Sequence, residues 1–248
     1  MLPVVKATRY VTPLREGGSL PGLVEAADLG IYVAKFTGAG QGRKALIADI
    51  IAAELARRLG FRVPRLVLLD FDPVMARHEA DEEVQDLLDA SPGWNLGVDF
   101  LPGALNYDPL AWTPDAEFAS GVLWFDAFIG NVDRSWRNPN MLVWHGEVWL
   151  IDHGASLYFH HAWKSADKLV SREYDVDDHV FKPYAKDVRG AESLLLPKIT
   201  DAVLHEVLGE IPDLWMTDEP GFDSPEAVRA AYFTQLKARL AIPRTWLP

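Results

Sequence analysis

The sequence contains no cysteine. Disulfides and thiolate metal sites are therefore excluded, and the fold must be held by its core. Cations are scarce as well: 24 Lys and Arg stand against 36 Asp and Glu, a formal charge of −12. That balance argues against nucleic acid or an anionic membrane surface as the main partner, although a local basic groove is compatible with any net charge. No apolar run reaches membrane-spanning length, and the start, MLPVVKATRYV, lacks the apolar core of a secretion signal. A soluble, cytoplasmic chain is expected. There is no internal repeat and no low-complexity segment. What the chain does have is apolar mass. It makes up 49% of 248 residues, enough for one large domain or two lobes rather than disorder.

Along the chain, GIYVAKF (30–36) alternates as a half-buried strand would, and GAGQG (38–42) reads as a turn. RKALIADIIAAELARRLG (43–60) reads as an amphipathic helix that Gly60 stops, and VPRLVLLDF (63–71) as another strand. HEADEEVQDLLDA (78–90) predicts a short acidic helix. NLGVDFL (95–101) predicts a strand broken by Pro102-Gly103, the expected hinge between an N-lobe of residues 1–102 and a C-lobe of 103–248. Thr113-Pro114-Asp115 offers an N-cap, a first-turn proline and a first-turn acid for a helix to about Phe128. After residue 155 the chain reads as mostly helical, and Ser224-Pro225-Glu226 opens a last helix. Strands first and helices later predict a two-lobed α+β architecture. Ligands often bind where such lobes meet.

The segment richest in chemistry is NVDRSWRNPNMLVWHGEVWLIDHG (131–154). MLVW (141–144) and VWLI (148–151) are apolar runs joined by His145-Gly146-Glu147, which predicts a hairpin. With a symmetric loop, Trp144 faces Val148, Met141 faces Ile151 and Asn140 lies across from Asp152. Asp133, Asn138, Asn140 and Asp152 then converge at the open end. Phosphoryl transfer uses such a set. Mg²⁺ takes oxygen ligands, one carboxylate and one amide oxygen with substrate phosphates, and a further carboxylate can accept the proton of the attacking hydroxyl. Kinase sites place an Asp, an Asn five residues on, a hairpin and an Asp before Gly. Asp133 and Asn138 have that spacing, and Asp152-His153-Gly154 stands where Asp-Phe-Gly would be. Either feature alone is better explained by Asx turns and caps, but their joint placement around one hairpin favours the site.

Upstream, Lys35 ends its strand where a kinase keeps the lysine that meets the α- and β-phosphates; by itself it would read as an edge-strand charge. The helix at 43–60 offers two acids, Asp49 and Glu54, as its partner. The segment Glu16 to Gly22, with Gly18 and Ser19, lies where a phosphate-covering loop belongs, without matching G-x-G-x-x-G. His160-His161 reads as a surface pair whose side chains point apart on a strand, Asp175, Asp177 and Asp178 as a solvated acidic turn, and the Trp residues as core or cleft lining.

YVAKF, LARRLGFRVP, NLGVDFLPGAL, NVDRSWRNPN and VWLIDHGASLYF together resemble the HipA-like kinase family, and more closely its short single-chain bacterial members, over roughly residues 15 to 160. The Asp-Arg pair with Asn five on is also similar to the phosphoinositide kinases, which share the broader fold. The resemblance implies a bilobal protein-kinase-like fold with a β-rich N-lobe and a mainly helical C-lobe. It implies Asp133 as catalytic base, Asn138 and Asp152 as Mg²⁺ ligands (with Asn140 an alternative to Asn138), and Lys35 as phosphate contact. Aligning LGFRVP favours Asp49 over Glu54 as the helix acid, and backbone groups of Asp99, Phe100 and Leu101 would face adenine. Val132 stands where protein kinases have Arg, and His153 where they have Phe. The N-terminal subdomain of full-length HipA toxins is not expected in a chain of this length, which separates the kinase fold from a toxin role. The expected activity is ATP- and Mg²⁺-dependent transfer to a hydroxyl of a protein Ser or Thr. The alternatives are a small-molecule acceptor, nucleotidyl transfer at the same site, and a nucleotide-binding pseudokinase.

Overall fold

The alternating segment around Tyr32 forms a strand, and four others join it in a barrel. The computed structural model, described over residues 1–14, 20–77, 79–242 and 245–247, divides into two units: Met1–Leu46 with Pro64–Gly103, and Ile47–Val63 with Ala104–Pro248. In the first, β1 (Val4–Pro13), β2 (Gly22–Ala26), β3 (Ile31–Lys35), β4 (Leu66–Phe71) and β5 (Gly93–Asp99) close in the order β1-β2-β3-β5-β4. All pairs are antiparallel except β1 with β4. Inward residues such as Val5, Val24, Tyr32, Phe36, Val67 and Leu69 fill the core, as alternation across a closed sheet requires. Because β3 lies between β2 and β5, Lys35 is not an edge charge.

Gly97 of β5 pairs with Val67 of β4. A Cβ there would lie 2.7 Å from both Leu69 Cγ and Val67 Cγ2. Gly97→Ala is therefore expected to destabilise the chain by about 1–3 kcal/mol through overpacking. Urea unfolding tests it, and an unchanged midpoint would mean that Val67 and Leu69 yield freely.

The helices follow their caps. α1 spans Gly42–Leu59, and α2, Glu82–Asp89, starts from an Asp81 cap. α1 is buried along 46–56 rather than on one stripe, because its alanines let neighbours approach on every side. α3 (Ala116–Ile129) is capped by Asp115, whose carboxylate accepts from the Phe118 amide, not by Thr113. It is buried throughout 119–129, the pattern of a central helix. Trp124 stacks on Phe128, with Trp246 beside both. α4 (Val188–Leu195) and α7 (Pro225–Ala241), the latter capped by Ser224 as expected, pack on α3, while α5 (Asp201–Leu208) and α6 (Asp213–Met216) pack on α7. No helix among the described residues is long and apolar enough to cross a membrane.

The hairpin forms with β7 (Met141–Trp144) and β8 (Glu147–Leu150), after a short β6 (Leu105–Asn106) that pairs with β7. Its register differs from the expected one by a residue. His145 and Gly146 alone make the loop, with φ of 49° and 78°, the two positive angles of a primed turn that matches strand twist. Trp144 therefore faces Glu147 and Met141 faces Leu150, not Val148 and Ile151. Asn140 lies across from Ile151, whose amide donates to the Asn140 carbonyl at 3.0 Å, and Asp152 stands one residue beyond.

Candidate active site

The loop from Asn131 to Asn140 is built around the Asp133 carboxylate. Asn138 donates to Asp133 Oδ2 through its amide nitrogen at 3.0 Å, and Asn140 does the same at 3.1 Å. Asn140 also donates to the Asp133 carbonyl at 2.7 Å, so one amide side chain closes the loop upon itself. With both amide nitrogens committed to Asp133, each Asn keeps its carbonyl oxygen as a further donor atom. Asp133 is partly exposed and Asn138 exposed, as groups that meet a substrate must be.

Beneath the loop lies a buried charge that the sequence reading missed. Asp126, near the end of α3, is fully buried. Its Oδ2 accepts from Arg134 Nε at 2.5 Å and from His179 Nε2 at 3.1 Å, and its Oδ1 accepts from Asn131 Nδ2 at 2.9 Å. His179 Nδ1 accepts from the Phe181 amide, so the proton of the neutral ring sits on Nε2, pointing at Asp126. Arg134 in turn donates to the carbonyls of Pro139 and Asn140. Asn131 Oδ1 accepts from the Asp133 amide, and Tyr174 donates to the Asn131 carbonyl. The residues on both sides of Asp133 are thus fastened to one carboxylate. Burial alone would raise the Asp126 pKa. The Arg134 charge and the His179 hydrogen bond outweigh it and hold the group at about 2. An acid inside the apolar run GVLWFDAFIG is the signal that could have found it.

At the open end of the hairpin, Asp152 is exposed, and both Asn140 and Asp152 hold left-handed backbone, φ 49° and 51°. Asn and Asp tolerate that conformation better than other side chains. The next residue, His153, is buried, and its amide donates to Asp49 Oδ1 at 2.6 Å. Asp49 of α1 thereby orients the turn that carries Asp152, whereas Glu54 faces Arg57 at 3.4 Å.

Lys35 ends β3 and pairs in register with Leu96. The Asp99 and Phe100 amides donate to the carbonyls of Arg65 and Ile31, so within that stretch only other backbone groups are free to meet a ligand. Gly18 and Ser19 lie outside the described residues. His160 is not part of a surface pair on a strand. It closes a 3-10 turn, buried, with Nδ1 at 2.9 Å from the Tyr232 hydroxyl and Nε2 at 3.1 Å from His161 Nε2. Asp175, Asp177 and Asp178 do form an exposed turn.

No group of three or more His, Cys, Asp or Glu placed to hold a metal occurs among the described residues. A metal that needs few protein ligands still fits the donor set here. Asp152 and the carbonyl oxygens of Asn138 or Asn140 are hard oxygen donors, the kind Mg²⁺ takes alongside water and phosphate.

None of the curated proteins matches the chain. Among solved structures it is similar to the Helicobacter pylori proinflammatory kinase CtkA, with a TM-score of 0.56 and 13% identity over 92% of this chain and 89% of that one. The Golgi casein kinase gives a TM-score of 0.49 and 12% identity, over 97% of this chain and 74% of that one. The CtkA likeness shows a protein-kinase-like fold, α+β with a β-rich part and a helical part. A sequence model of HipA-like kinases matches residues 8–246, from the first barrel strand past the last helix, so the chain belongs to the HipA-like kinase family and is a phosphotransferase.

Proposed function

We propose that this protein transfers the γ-phosphoryl group of ATP to a Ser or Thr hydroxyl of a protein. The observation that carries the reading is the Asp133 loop. One carboxylate is pinned at Oδ2 by two amide side chains, with Oδ1 left to take the proton of an attacking hydroxyl. Two hydrogen bonds to one oxygen hold the carboxylate in a single orientation, which lowers the entropy lost when the hydroxyl docks. Asn138 and Asp152 are the assigned Mg²⁺ ligands, with Asn140 next to them. The bound metal supplies charge stabilisation for the phosphates. Asp49 acts through the His153 amide, fixing the turn on which Asp152 sits. Lys35 offsets phosphate charge, and Leu101 and the carbonyls of Asp99 and Phe100 are the groups assigned to adenine.

Thermal unfolding with and without ATP and Mg²⁺, on wild type and on Asp152→Ala, tests the nucleotide part. Ligand at a hundred times its dissociation constant adds about 2.7 kcal/mol. For a chain of this size that is roughly 5–10 °C in Tm. The shift is expected to need both Mg²⁺ and Asp152. A wild-type chain that binds no nucleotide would sink the reading. With γ-labelled ATP the label is expected on the acceptor; label released with pyrophosphate would mean nucleotidyl transfer instead.

A further inference from the structure

We infer that a cavity of about 580 Å³ in the second unit is the acceptor site, and that it takes a basic, Ser- or Thr-bearing segment of a protein. The inference rests on the phosphotransfer reading above and specifies its acceptor. The cavity is walled on one side by Val132, Arg134 and Ser135, the residues that flank Asp133, so its occupant lies against the loop that carries the base. Its volume suits a few residues of peptide.

Two features of the wall select the occupant. Leu157 and Leu236 give it an apolar lining, and Val132, though apolar, is exposed beside them. Deeper, Arg134 is 1% exposed, and its Nη2 is buried with no hydrogen-bond partner while Nε and Nη1 are fully used. That nitrogen is closed to solvent, so Arg134 stiffens the wall through its bonds to Asp126, Pro139 and Asn140 rather than meeting the occupant. At the rim the sign reverses. Glu173, Asp175 and Asp178 are exposed there against Arg172, Arg239 is half-buried with its guanidinium spent on backbone carbonyls, and Asp177 is matched by Lys182 at 2.6 Å. A free phosphate or a nucleic acid would be repelled by the acidic rim. A peptide with an apolar stretch inward and Lys or Arg outward suits both the lining and the rim. The formal charge of −12 draws such a partner from a distance.

The experiment uses the full chain, labelled ATP with Mg²⁺, and short synthetic peptides carrying one Ser flanked by Lys and Arg, by Glu and Asp, or by neutral residues. Wild type is expected to favour the basic peptide over the acidic one by ~10-fold or more in kcat/KM, mostly through KM, with the margin shrinking as salt rises. The double variant Glu173→Lys/Asp178→Lys is expected to reverse the order while keeping the Mg²⁺-ATP melting shift. Equal use of the three peptides, or a double variant that still prefers the basic one, overturns the inference. So does transfer to no peptide at all. In that case a retained melting shift confines the failure to the acceptor, and a lost one removes the phosphotransfer reading as well.

Discussion

Asp126→Ala is expected to destabilise the folded chain by about 3–5 kcal/mol, the range for breaking a buried pair from one side. The variant leaves the Arg134 guanidinium buried without its counter-charge and takes an acceptor from His179 and from Asn131. Because Asn131 and Arg134 fasten the backbone on either side of Asp133, the protein that still folds should lose transfer far more than nucleotide binding. Asp126→Asn keeps the shape and one acceptor but not the charge, and should fall between the two. The same group sets an acid limit. Its pKa is depressed from about 3.8 to about 2, so its contribution is present above pH 4 and is lost as pH falls through 2. At 1.36 kcal/mol per unit the amount is about 2 kcal/mol. Urea midpoints measured between pH 5 and 2 should therefore drop more steeply in wild type than in Asp126→Asn. Parallel curves, or a loss under 1 kcal/mol in Asp126→Ala, would show that the carboxylate is not the anchor.

Much of this arrangement was legible in the sequence, and what was not has physical reasons. Alternation marked β3, an acidic segment marked α2, a cap marked the start of α7, and two apolar runs marked the hairpin. The segment of β1 carries no clean alternation, because register shifts between Ala7 and Arg9 and between Tyr10 and Thr12 break the period of two. The hairpin slipped by a residue because primed turns are usually flagged by Asn-Gly or Asp-Gly, and here His145 takes the first position. Asp126 escaped because α3 is buried on every side, so helical periodicity singles out no face and the acid looks like one more core position. The Asp49–His153 contact joins residues 104 apart in the chain, a closure that no local pattern records. By contrast, the Asp133–Asn138 spacing was readable because a hydrogen bond across five residues of one loop is a local fact.

Asp133→Ala tests the chemistry most directly. General-base catalysis contributes on the order of 10²–10⁴ in rate, so transfer should fall by at least ~10²-fold while the Mg²⁺-ATP melting shift stays near wild type. The two effects separate because Asp133 is only partly buried and its loop keeps a second anchor from below in Asp126. Removing the carboxylate does free the Asn138 and Asn140 amides, a loss of about 0.5–1.5 kcal/mol for each hydrogen bond. Asn138 is also assigned to the metal, so a loosened loop is the one route by which Asp133→Ala would weaken nucleotide binding. Asp133→Asn resolves the two roles. It keeps an oxygen for Asn138 and Asn140 to donate to, yet cannot take a proton from a hydroxyl. An Asn variant that binds Mg²⁺-ATP normally and transfers nothing measurable is the signature of a base. One that retains transfer within threefold of wild type would leave Asp133 as a loop-closing residue and move the chemistry to another group.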